Sequence, residues 1–147
     1  MKQRIVRYFA LLLVCTLFLG TSSIANASST RASDYFAYTD VWTTSQGNGR
    51  FIIEFDINTT HIMQQVGAKS IVVWEQQDDG SYDSVKTFTS GLIDTNVADA
   101  YRMVSYNGVS GVKYYVTVAL YAKDSQGSET LYRNTPIYRQ SFPHKHR

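Results

Sequence analysis

The chain has 147 residues, with 14 Lys and Arg against 12 Asp and Glu. Three of the basic residues and none of the acidic ones lie in residues 1–27, so the remaining 120 carry 11 basic against 12 acidic side chains, a formal charge of −1. Phosphate recognition needs a concentrated cationic face, so nucleic acid is excluded as a partner. The same 120 residues hold 11 Val, 7 Ile and 12 Thr but 3 Leu. That is strand chemistry, and without a sustained three-turn apolar stripe it argues against a helical bundle or an alternating β/α fold.

Residues 1–27 read as a signal peptide. Lys2, Arg4 and Arg7 form a positive start, Tyr8 to Gly20 form a short apolar core, and Ala25-Asn26-Ala27 supplies the small residues of a cleavage site. The apolar run falls short of the roughly 20 residues that span a bilayer. Cys15, the single cysteine, lies in that run behind Val14, which does not fit a lipobox. Cleavage would leave a cysteine-free, secreted product with no disulfide, no thiol nucleophile and no stable membrane anchor. The expected domain is 28–140, with a flexible tail over 141–147.

Ser33 to Thr44 carries Phe36, Tyr38 and Trp42 at even spacing, and Gln46-Gly47-Asn48-Gly49 is a turn cluster. Phe51, Ile53, Phe55 and Ile57 then alternate with Glu54, Asp56 and Asn58, as in a strand with one buried face. Thr59 to Ala68 reads as a connection with room for one helical turn. Lys69 to Gln76 is a strand whose two faces are both apolar, through Ile71, Val72, Val73 and Trp74. Asp78-Asp79-Gly80-Ser81 turns the chain into Tyr82 to Thr89. Ser90 to Asn96 is irregular, and Ala98 to Tyr106 is a strand closed by Asn107-Gly108. Val112 to Lys123 alternates again, and the turn Asp124-Ser125-Gln126-Gly127 leads to a last strand from about Glu129 to Tyr138, with Pro136 at its edge or end. Seven short strands separated by turns predict an all-β, two-sheet sandwich of antiparallel strands.

Gly111-Val112-Lys113-Tyr114-Tyr115-Val116-Thr117-Val118 resembles the sixth strand of fibronectin type III domains, which implies an immunoglobulin-like sandwich. The resemblance gives Tyr114 the role of a structural tyrosine corner, its hydroxyl bonded to nearby backbone. Ser110 stands where that family usually has proline, and Phe55 replaces its early-strand tryptophan. The stretches Trp42 to Ile57, Val66 to Ile71 and Gly108 to Ala122 are also similar to a family of small uncharacterised secreted proteins of Gram-positive bacteria, which implies an exported stand-alone sandwich.

Catalytic chemistry finds little footing. His61 beside Thr60 reads as a loop histidine without a nucleophile motif, and His144 and His146 are flanked by cations in the tail. Asp78, Asp79, Asp94 and Asp99 read as loop aspartates that form turns; a glycosidase pair or a calcium site is the alternative, without EF-hand spacing. Asn58-Thr59-Thr60 fits a glycosylation sequon but reads as a polar strand end. No catalytic residue, metal ligand or cofactor is expected.

The surplus is aromatic, with 17 of the 120 residues Phe, Tyr or Trp. If Tyr114 and Val116 face inward, Tyr115 and Tyr121 face outward. If Trp74 and Val72 face inward, Ile71 and Val73 face outward from the neighbouring strand. Ile71, Val73, Tyr115 and Tyr121 thus form a candidate binding face, the alternative being cross-strand pairs that stabilise a solvated sheet. The expected function is a non-catalytic extracellular module that binds a protein or a glycan. A structural subunit that self-associates through a sheet edge or aromatic face, or a small secreted hydrolase, are the other classes.

Overall fold

The alternation of Phe51, Ile53, Phe55 and Ile57 does what period two dictates. All four are fully buried while Arg50, Ile52, Glu54 and Asp56 keep solvent contact. Their strand is the centre of the first of two antiparallel sheets. The computed structural model describes residues 33–136 and the backbone of 138–139; the leader over 1–27, Cys15, and the tail with His144 and His146 lie outside the described residues.

The strands, in chain order, are β1 (Phe36–Gly47), β2 (Arg50–Met63), β3 (Gln65–Gln76), β4 (Tyr82–Phe88), β5 (Ile93–Asp94), β6 (Val97–Asn107), β7 (Lys113–Lys123), β8 (Ser128–Asn134) and β9 (Tyr138–Arg139). Two of the nine are two-residue bridges, which leaves seven longer strands. The fold is all-β, and no helix occurs among the described residues. One sheet has the order β1-β2-β6; the other has β4-β3-β7-β8, with β5 added to β3 and β9 to β7.

The Asn48-Gly49 turn closes the β1-β2 hairpin between Gly47 and Arg50. Both turn residues have positive φ, 54° at Asn48 and 84° at Gly49, the geometry of a tight hairpin turn that follows the strand twist. The Gly49 carbonyl accepts the Gly108 N–H at 2.9 Å, which seats this turn on the β6-β7 connection.

The expected connection over Thr59 to Ala68 is replaced by strand. β2 runs to Met63, β3 starts at Gln65, and the chain changes sheets across Gln64: Met63 pairs with Val97 of β6, and Gln65 pairs with Lys123 of β7. Pairing of β2 with β6 is irregular between Asn58 and Met63, and the Thr59 hydroxyl lies 2.8 Å from the carbonyls of both His61 and Ala98. That irregularity breaks the alternation, so Thr60, His61 and Ile62 are exposed and the stretch looks like a loop in sequence.

A second irregularity decides the faces of β3. Its register against β7 shifts between Ala68 and Ser70, so Val66 and Ala68 point inward before Lys69, and Ile71 and Val73 point inward after it. They meet Val118 and Val116 of β7 across the ladder, and Tyr114, Val116, Val118 and Leu120 complete the core from that side, all fully buried.

Candidate binding face

Residues opposite one another across a ladder point to the same side of a sheet. Outside the β1-β2-β6 sheet, register therefore builds rows across three strands: Tyr38, Asn58 and Asp99; then Asp40, Asp56 and Tyr101; then Trp42, Glu54 and Met103; then Thr44, Ile52 and Ser105. Tyr38 is 49% exposed, Tyr101 45% and Met103 55%. The Trp42 and Tyr101 rings lie 6.3 Å apart, tilted by 32°. Four carboxylates, Asp40, Glu54, Asp56 and Asp99, are interleaved with these apolar groups. One guanidinium, that of Arg50, shares the face and donates to the Ser105 hydroxyl at 3.1 Å.

The rings and carboxylates are coupled. Tyr101 donates to Glu54 Oε1 at 2.6 Å and Thr44 donates to Glu54 Oε2 at 3.0 Å, which fixes that carboxylate between the two outer strands. The bond to Glu54, then partial desolvation and the negative charge, hold the Tyr101 hydroxyl above its ordinary pKa. Partial desolvation and Asp40 do the same to Tyr38, whose hydroxyl is 3.4 Å from that carboxylate. Both phenols stay neutral donors at physiological pH. Asp40 also accepts the N–H of Val41 at 2.8 Å. The face can therefore stack planar or apolar groups and accept hydrogen bonds beside them.

The outer face of the second sheet holds two of the four residues singled out from sequence. Tyr115 stacks on Trp74 at 5.7 Å and 8°, and Tyr82 meets it edge-on at 5.0 Å. Tyr121 is 8% exposed, with the Lys69 ammonium 4.1 Å above its ring. Ile71 and Val73 are not there: both are fully buried in the core, and Val72 and Trp74 take the outward positions. An apolar run on both faces contains no parity signal, and the size of Trp74 pointed the wrong way. The Trp74 indole N–H donates to Thr117 at 3.0 Å and the Trp74, Tyr115 and Tyr82 rings cover one another, while Tyr132, opposite Ala119 on β8, stands 69% exposed on the same face.

Tyr114 is fully buried. Its hydroxyl accepts the Val109 N–H at 2.8 Å and donates to Glu75 Oε2 at 2.6 Å, while its ring packs on Phe51 and Tyr106. Burial first, then the bond to Glu75, push this hydroxyl well above its ordinary range.

His61 lies on β2. Its Nε2 is 3.2 Å from Asp124 Oδ2 and its Nδ1 is 3.1 Å from Thr60 Oγ1, a hydroxyl, an imidazole and a carboxylate in series. The Thr60 hydroxyl donates to the Asp34 carbonyl at 2.9 Å, so its proton is aimed at the backbone and the group ties the start of β1 to β2. Asp124 caps the β7-β8 turn by accepting the N–H groups of Gln126 and Gly127 at 2.7 and 3.0 Å, and these bonds, with His61, hold its carboxyl below the ordinary 3.8. A depressed folded pKa adds stability above the unfolded value, which is lost as pH falls through the folded one. The midpoint difference between wild type and Asp124→Asn in urea is expected to be constant near neutrality and to shrink below pH 4; a difference that grows on acidification would contradict the turn assignment.

The aspartates expected in loops divide. Asp79 accepts from the backbone and hydroxyl of Ser81 in the β3-β4 turn. Asp94 pairs with Arg102. Asp99 sits on β6 in the face described above. Among the described residues no group of three or more His, Cys, Asp or Glu is placed to hold a metal ion. A groove of about 290 Å³ between β1 and β8 is lined by Phe36, Tyr38, Thr39, Leu131 and Arg133 among others, with no carboxylate or imidazole.

Sequence reasoning missed the outer face of β1-β2-β6. The signal was present in the polar positions Glu54, Asp56 and Asn58 of the strand read most easily, and in the even spacing of Tyr38 and Trp42, but the third strand and its register join them.

No family model matches the sequence, and no curated protein does. Among solved structures, the chain is similar to the solution structure of a candidate late embryogenesis abundant (LEA) protein, at 10% identity and a TM-score of 0.47, covering 97% of this chain and 91% of that one. It is also similar to a structural-genomics target determined by X-ray diffraction, at 11% identity and a TM-score of 0.36, covering 74% of this chain and 88% of that one. Likeness at these scores carries no argument about family or activity.

Proposed function

We propose that the protein is a secreted, non-catalytic binding module whose contact surface is the outer face of the β1-β2-β6 sheet. One observation carries the reading: Tyr38, Tyr101 and Met103, each about half exposed, share that face with the partly buried Trp42, in register with four carboxylates. Exposed aromatic and apolar groups grouped on one sheet face mark contact surfaces in soluble proteins. Export is the reading of the Lys2 to Ala27 segment.

We place the domain among immunoglobulin-like, fibronectin type III-like sandwiches. The division into β1-β2-β6 against β4-β3-β7-β8 and the bond from Val109 to the Tyr114 hydroxyl favour that assignment. Assembly by strand addition has less support. On the β1 edge the Val41 N–H is taken by Asp40, on the β6 edge the Tyr101 carbonyl is taken by Arg102, and β4 pairs through a bulge with Lys86 along it.

The test compares two double variants on an array of immobilised oligosaccharides and of peptides of graded charge. Trp42→Ala with Tyr101→Ala is expected to remove the wild-type binding signal in a domain that still unfolds cooperatively in urea, at a stability cost of about 1 to 2 kcal/mol per site for the lost ring contact and the Tyr101 bond to Glu54. Tyr115→Ser with Tyr132→Ser, on the opposite sheet, is expected to retain it. Loss with the second pair alone moves the contact surface to the other sheet.

A further inference from the structure

Asp40 and Asp56 are directly opposite in the β1-β2 ladder, and Tyr101 is opposite Asp56 in the next. Like charges in that relation repel. Among the described residues none of Asp40, Glu54, Asp56 or Asp99 takes part in an ion pair, and the nearest cation on their face, Arg50, is turned to Ser105 at the hairpin end. A sheet that carries four carboxylates beside Trp42 and Tyr101 attracts positive charge and offers it π-faces to rest on.

We infer that the ligand of this face is a cationic polypeptide segment rich in arginine or lysine, an assignment that rests on the proposed contact surface and adds its chemistry. A neutral sugar would stack on the rings but leave the Asp40 and Asp56 repulsion in place. A metal ion lacks the ligand set, since among the described residues no three His, Cys, Asp or Glu side chains converge closely enough to hold one. A guanidinium is flat enough to lie on the Trp42 ring while its N–H groups reach a carboxylate. The spacing also fits. Side chains on one side of an extended chain repeat about every 6.8 Å, the repeat that separates Asp40 from Trp42 along β1 and Glu54 from Asp56 along β2, so every second residue of an extended basic segment meets successive partners.

The experiment is calorimetric titration of the full domain with nona-arginine, and separately with a hexasaccharide of N-acetylglucosamine. Three variants accompany the wild type: Asp40→Asn with Asp56→Asn, Trp42→Ala with Tyr101→Ala, and Asp78→Asn with Asp79→Asn as a control that removes equal charge from the β3-β4 turn. The expected result is nona-arginine binding that weakens with salt, falls at least tenfold in the Asp40/Asp56 variant, falls also in the ring variant, and is unchanged in the control. Equal loss in the control would show charge attraction without a site and overturn the inference. Binding of the hexasaccharide in place of nona-arginine, abolished by the ring variant, would overturn the cationic ligand and leave the contact surface standing. Binding of either probe that no face variant alters would overturn both. Unfolding midpoints on each variant separate loss of binding from loss of fold.

Discussion

Gly67→Ala is expected to cost about 4 kcal/mol or more, beyond the range of ordinary substitutions. Gly67 lies in β3 with φ of +151°, where β5 crosses it: its neighbour Ala68 donates its N–H to the Leu92 carbonyl at 3.0 Å, and Gly67 pairs with Ile93. A Cβ built on Gly67 would collide with the Leu92 carbonyl oxygen and crowd the Ile93 Cα, both backbone atoms that no rotamer change can move. Relief requires β5 to lift away. That would uncover Leu92, now 4% exposed, and break the Asp94 pair with Arg102 that fastens β5 to β6. Gly80→Ala is the reference, because Gly80 also has positive φ, +86°, but open space around it, so its cost is the backbone strain alone, about 1 kcal/mol. Urea unfolding of both variants checks the difference. Equal midpoints would mean that β5 does not rest on Gly67.

Tyr114→Phe is expected to cost about 3 kcal/mol. The substitution keeps the ring against Phe51 and Tyr106 and removes the hydroxyl alone, so cavity effects are small. What it removes is one short bond to a carboxylate and the acceptor of a backbone N–H, Val109, in a setting where water replaces neither freely. A bond to a charged group is worth about 1.5 to 3 kcal/mol, and an orphaned buried partner adds about 1 to 3 more, partly offset where solvent reaches Glu75. Glu75→Gln preserves an acceptor for the same hydroxyl and is expected to cost less. An unchanged urea midpoint in Tyr114→Phe would remove the hydroxyl from the account of the β6-β7 connection. The Gly108 backbone adds to that connection, since a Cβ placed there would come within 2.8 Å of the Tyr114 ring.

Much of this fold was legible where one physical signal dominated. In β2, burial on one side forces strict alternation, so four apolar residues identify the strand and its face. Asn48-Gly49 fixes its hairpin because few other residues take two successive positive φ values. Tyr114 stood out through the resemblance of residues 111–118 to the sixth strand of fibronectin type III domains. Reading failed where the ladder is irregular. Between Asn58 and Met63 the β2-β6 pairing shifts, polar residues fall out of phase, and a continuous strand looks like a connection. At Lys69 a one-residue offset exchanges the faces of β3, and because Val72 and Trp74 are as apolar as Ile71 and Val73, composition could not reveal it.

The candidate face was illegible for a different reason. Each row combines residues from three strands separated by as many as 61 positions, as in Asp40, Asp56 and Tyr101. Sequence assigns such residues to the solvent side of their own strand, while the register that makes them neighbours is a property of the folded sheet.

The most direct measurement is an amide chemical-shift footprint of the uniformly labelled domain titrated with nona-arginine. The account predicts perturbations concentrated over Tyr38 to Thr44, Glu54 to Asn58 and Asp99 to Ser105, with Trp74, Tyr115 and Tyr132 unmoved. Perturbations centred on Trp74, Tyr115 and Tyr132, with the β1-β2-β6 face silent, would contradict it.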